Sequence, residues 1–271
     1  MKASPASVFV ALSVALAIGA GVAARHASAS ATDEEPAPLP SDAPFFGFEV
    51  RHRAGVVPLL ESTRDFELSL ANGPVRGTRP DPALASRGVA IVRREIDRYP
   101  ASFLRKIRLA GIVLVQDLRE GGMAIPSLPN VGGLLLLDVS SVKSDLVRCL
   151  HHEVFHFFDL ADDGRLSPDP EWAALNAPGF AYGSGGRTLR GAWAAKPSTD
   201  IPGFVSAYAT SGPEEDKAET FAFAVTRAEL MRTLLASDPL LRAKMRELTE
   251  RIRRMDADTP RRLGLEHLVA R

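Results

Sequence analysis

Cysteine is nearly absent from this 271-residue chain, which carries only Cys149. A single thiol excludes an intramolecular disulfide framework and a four-cysteine zinc module, so stability must come from a packed core. Excess charge of one sign is also missing, with 33 Lys and Arg against 33 Asp and Glu. A broadly basic nucleic-acid binder needs a cationic surplus, so nucleic acid is not an expected partner. There is no internal repeat, and histidine is scarce, at six residues. What is present is ordinary globular material. Hydrophobic residues make up 45% and charged residues 24%, enough to bury a core and too apolar for a disordered or collagen-like chain.

The beginning of the chain has the features of an export signal. Lys2 gives a basic start, Val8–Ala20 is an apolar stretch, and Ala27-Ser28-Ala29 offers a small-x-small cleavage pattern. Residues 1–29 are therefore expected to be a signal peptide and the protein to be secreted or periplasmic. An uncleaved anchor is the competing reading, although the stretch is short for a membrane span and rich in Ala and Gly. Residues 30–44 hold Pro36, Pro38, Pro40 and Pro44 and are expected to form a disordered Pro/Ala-rich linker. A single folded domain is expected over 45–271.

Within it, FFGFEV and DFELSL are strand candidates near the start. Apolar residues recur at helical spacing from Pro82 to Tyr99, and Pro100 ends that helix. Ile107–Val115 and Leu134–Val139 have the apolar, β-branched or leucine-rich content of buried strands, with Pro126–Pro129 as a loop between them. Ser144 and Asp145 are cap residues for a helix of about fifteen residues. A long irregular stretch, 162–200, includes Gly183-Ser184-Gly185-Gly186. Two helices are expected to follow, one from Pro213 to about Leu235 and one capped at Ser237 and ending near Met255. The fold class is α+β, a small sheet packed on the histidine-bearing helix and followed by a mostly helical C-terminal part.

That helix carries Cys149-Leu150-His151-His152-Glu153-Val154-Phe155-His156, which contains His-Glu-x-x-His. Residues four apart share a helical face, so His152 and His156 can grip one Zn²⁺. Glu153 sits one step round and is suited to act as general base towards water. The helix is apolar nearly all round and hence buried, where unpartnered histidines would be costly. His151 has no assigned role.

A catalytic zinc takes three protein ligands and keeps one open position. Candidates for the third are Asp162, Cys149 and the acidic start of the next helix, Glu214-Glu215-Asp216-Lys217-Ala218-Glu219. Asp162 would need a sharp chain reversal, usually with Gly where Asp159 stands, and a lone Cys on an apolar helix is usually a small core residue. In the acidic run Glu215 and Glu219 share a face, so one can bind metal while the other orients a histidine. Carboxylates here are also favoured by the helix dipole alone.

The segments HHEVFHFFD and GFVSAYATSGPEEDKAETFAF resemble the zincin metallopeptidases with a glutamate third ligand. More narrowly they are similar to the catalytic domain of the anthrax lethal factor group and related secreted zinc peptidases. The resemblance spans Asp145 to Ala222 but leaves 163–200 unmatched, so substrate choice does not carry over. It implies a zincin-like fold and one Zn²⁺ per chain held by His152, His156 and Glu215. The tyrosine seven residues before the ligand glutamate in that group selects Glu215 through Tyr208. It further implies Tyr208 as a donor to the oxyanion, with Glu219 and Asp159 supporting the ligands from behind.

The expected activity is zinc-dependent hydrolysis of peptide bonds, with a protein or peptide substrate and no membrane partner beyond the leader. A cell-wall peptide is not distinguished from a protein substrate. The alternative is a non-catalytic zinc-binding exported domain that binds or senses, against which an intact Glu153 argues. Leu134–Asp138 is the expected substrate-binding sheet edge, and the Gly183–Gly186 run is a candidate lid.

Overall fold

The computed structural model describes residues 46–70, 73–141, 143–164, 166–186 and 201–270. The leader and linker expected over 1–44 lie outside the described residues, as does 187–200 of the long irregular stretch. The class is α+β, as expected, but the sheet is larger than anticipated, with eight strands among the described residues.

The sheet is organised around β5 (Gly111–Glu120). Its first half pairs in parallel with β2 (Val57–Ser62) and β8 (Leu134–Asp138). β1 (Phe48–Ala54) borders β2, and β7 (Ser127–Val131) borders β8, both antiparallel. Asp117 has φ 53° and redirects the strand, after which the second half pairs with β4 (Gly73–Thr78) and β6 (Met123–Ala124). β3 (Phe66–Leu70) completes a hairpin with β4.

Ile112–Val115 and Leu135–Leu137 are fully buried because both faces of the parallel strands are covered. Ile112, Leu114, Leu135 and Leu137 pack against helices, while Val113, Val115, Leu134 and Leu136 join Phe48, Phe66, Leu68 and Val75 on the other face. This topology corrects the expected substrate edge. β8 lies inside the sheet, between β5 and β7, and the border strand is β7. It corrects the Pro126–Pro129 loop as well, since Pro129 sits within β7, where a border strand tolerates a missing N–H.

The helical layer begins with α1 (Pro82–Ile96), capped by the Asp81 side chain on the amides of Ala83 and Leu84, and continues with α2 (Ala101–Lys106). α3 (Lys143–Asp163) is longer than expected and crosses beneath the sheet. His151 ties α3 to α1. The Tyr99 hydroxyl donates to its Nδ1 at 2.6 Å, and its Nε2–H donates to Glu95 at 3.2 Å. The His151 bond, with the guanidinium groups of Arg98 and Arg94, holds the Glu95 carboxyl well below its usual range despite burial. Cys149 is wholly buried.

Part of the irregular stretch is ordered by α4 (Pro170–Ala173), whose Trp172 is fully buried. The expected Pro213–Leu235 helix is two helices, α5 (Pro213–Thr226) and α6 (Ala228–Ser237), broken at Arg227. α7 (Pro239–Met255), α8 (Thr259–Arg262) and α9 (Glu266–Val269) finish the helical part. Among the described residues no helix is long and apolar enough to cross a membrane.

Candidate metal centre

α3 and α5 pack side by side, with Phe155 and Phe221 ring centroids 5.2 Å apart. α5 is buried nearly all round, so its polar residues must be paired. Asp216 accepts from Trp172 Nε1 at 2.8 Å, Tyr182 Oη at 2.6 Å and Lys244 Nζ at 2.7 Å. Lys217 Nζ donates to Asp159 and Asp169. These anchors fix the helix that projects Glu215 and Glu219 towards α3.

The structure brings His152, His156 and Glu215 to one point. His152 Nε2 lies 3.0 Å from Glu215 Oε2 and 3.1 Å from His156 Nε2, and the remaining edge, His156 to Glu215, is 3.5 Å. Ligands about 2.05 Å from a tetrahedral zinc stand about 3.3 Å apart, so these edges fit one face of such a site. Two imidazole nitrogens facing each other at 3.1 Å need a hydrogen or a metal between them, since two bare lone pairs would repel. Burial disfavours charge on His152, but hydrogen bonds to Glu215 and Glu219 outweigh it and raise its pKa to about 9. His156 is raised by Glu215 against the same burial penalty. Glu215 is partly buried, which opposes its charge, yet the two histidines hold its carboxyl far below the usual range.

Glu219 stands behind His152. Its Oε1 accepts from His152 Nδ1 at 3.1 Å and from Arg148 at 2.6 Å, and its Oε2 accepts from Ser206 at 2.8 Å. A carboxylate on the far nitrogen fixes the ring and leaves Nε2 for a metal. Asp159 has no such contact. It bonds Lys217 rather than His152 or His156, and His156 Nδ1 has no hydrogen-bond partner among the described residues. Asp162 is absent from the donor cluster, as is Cys149.

Glu153 and Tyr208 line the same cleft as the three donors, opposite Ser127 and Leu128 of β7. Glu153 Oε1 accepts from Ser127 Oγ at 2.7 Å, while the buried Oε2 has no partner among the described residues. Tyr208 lies in a 3-10 turn, Tyr208–Ser211, and its ring centroid is 6.0 Å from that of His152. Burial and the nearby carboxylates of Glu215 and Glu153 push its phenol far above the usual range, so it stays protonated and able to donate.

The Gly183–Gly186 run is docked along this turn. Gly183 N–H donates to Thr210 O at 3.0 Å and Gly185 N–H to Ser211 O at 2.7 Å. Gly186 lies so close that a Cβ there would overlap Glu215 Oε1 and the Tyr208 hydroxyl. Ser127, Arg148 and Ser206 carry no signal in the sequence, and Gly186 stands out there only as part of a candidate lid. A glycine run beside a polar site was the one available signal, since close backbone approach demands glycine. Compared with protein-family models, curated proteins and solved structures, the chain matches none.

Proposed function

We propose that the chain is a secreted or periplasmic zinc-dependent peptidase with a zincin-like catalytic domain over 45–271. The observation that carries this reading is the three-donor cluster sharing one cleft with a carboxylate oxygen, Glu153 Oε2, that has no partner among the described residues. His152, His156 and Glu215 would hold the metal. Bound there, Zn²⁺ supplies Lewis acidity, which polarises the scissile carbonyl and makes water acidic enough to lose a proton at neutral pH.

The rest is the work of side chains and the sheet border. Glu153 takes the proton from the attacking water and delivers it to the departing amine. The protonated Tyr208 donates a hydrogen bond to the carbonyl oxygen as it gains charge. Glu219 keeps His152 oriented. β7, the border strand beside the cleft, offers its main chain to an extended peptide. Apolar Ile125, Pro126 and Leu128 form the adjoining wall.

The test is elemental analysis of the purified protein and its variants, followed by digestion of a peptide library that includes cell-wall peptides. About one zinc per chain is expected. His156→Ala and Glu215→Ala should lose it, and Glu219→Gln should keep most of it with weaker affinity. Glu153→Gln should keep the metal and lose turnover. A wild-type protein without tight metal would sink the peptidase, and tight metal without Glu153-dependent cleavage would establish a binding or sensing module instead.

A further inference from the structure

We infer that Ser127 is a positioning residue for Glu153, joining the substrate-binding border of the sheet to the general base; this rests on the peptidase reading. Its Oγ donates to Glu153 Oε1 at 2.7 Å, and the two residues are only 7% and 5% exposed. The terminal torsion of a glutamate is broad, so a free carboxylate would sweep a range of orientations towards water. The Ser127 hydroxyl holds one of them. It occupies one oxygen and aims the other, which has no partner among the described residues, as the oxygen that receives the proton.

The same residue is placed to meet the substrate. Successive side chains in a strand point to opposite faces, and Leu128 packs on the face away from the helices, so Ser127 turns towards α3. The Pro126 carbonyl accepts from Asp138 N–H at 2.9 Å, which places residue 126 in the ladder with β8. By alternation, the N–H and C=O of Ser127 face outward, away from β8. Among the described residues no strand pairs with that side of β7. An extended peptide added there bonds the main chain of the residue whose side chain aims the base. Binding and proton transfer thus share one residue, and no other described hydroxyl bonds Glu153.

The test uses the full chain and a peptide cleaved by the wild type. Ser127→Ala keeps the main chain that meets the substrate, so KM and zinc content should hold while kcat falls about tenfold or more. Ser127→Thr keeps the hydroxyl and should restore kcat to within about threefold of wild type. A second readout needs no turnover. In metal-free protein Ser127→Ala should lower the melting temperature by a few degrees, and the effect should vanish in a Glu153→Ala background. Wild-type kcat in Ser127→Ala, or a Ser127→Thr variant as slow as Ser127→Ala, overturns the inference. Loss of cleavage in Glu153→Gln with full activity in Ser127→Ala removes the positioning role alone. A wild type that cleaves no peptide removes the peptidase reading and the positioning role together.

Discussion

The Lys217 ammonium on α5 lies 2.6 Å from the Asp159 carboxylate on α3, and both are buried. Lys217 follows Glu215 by two residues and Asp159 follows His156 by three, so the pair fastens the two donor-bearing helices beside the three-donor cluster. Asp169 shares Lys217 at 3.0 Å and is gripped by Arg251 of α7 at 2.7 Å. Burial pushes the Asp159 carboxyl up to about 6 against the pull of Lys217. This position was expected to support a ligand histidine, and it instead braces the opposite helix.

Lys217→Met should therefore destabilise the fold by about 3–5 kcal/mol, because it leaves the buried Asp159 carboxylate facing no ammonium, while Asp169 keeps Arg251. Urea unfolding of the metal-free protein measures this. A loss below about 1 kcal/mol would mean the pair contributes nothing beyond what packing supplies.

Stability should also fall with acid in a defined window. Burial raises the Asp169 carboxyl, but the Arg251 hydrogen bond, the Trp172 amide and Lys217 outweigh it and hold the pKa at about 2. The unfolded value is about 3.9, so the folded pKa is depressed. The contribution is complete above about pH 4 and is lost as pH falls towards 2. In urea midpoints measured from pH 6 to 2, wild type should drop more steeply below pH 4 than Asp169→Asn. Parallel curves would refute the assignment.

Gly186→Ala should weaken the metal site without unfolding the protein. The added Cβ would stand 2.8 Å from Glu215 Cδ and overlap the Tyr208 hydroxyl, forcing either the ligand or the glycine run to move. Competition with a chelator should show zinc affinity reduced roughly tenfold or more, with melting nearly unchanged. Unchanged affinity would show that the glycine run yields freely.

Local spacing made part of this legible in the sequence. His152 and His156 fall on one face of α3 because four residues nearly complete a helical turn. Their meeting with Glu215 depends on chain 63 residues away, and no local pattern encodes it. The break at Arg227 was hidden because neither Gly nor Pro marks it, and apolar residues continue into α6. Pro126 and Pro129 give β7 the look of a loop, although proline is also compatible with a border strand. The uniform apolar run of β8 already implied cover on both faces, which a border strand lacks. Ser127, between Pro126 and Leu128, carried no signal of its own; only the fold sets its hydroxyl on Glu153.

The two ends of the β1-β2-β5-β8-β7 array bear on how copies of the protein behave towards one another. A bare sheet border invites another chain to extend the sheet without limit. At β7, Pro129 withholds a donor, and the register slips between Leu128 and Val131. At β1, Arg51, His52 and Arg53 are exposed, and the register slips between Val50 and His52. Among the described residues, each border is thus a poor template for endless self-association.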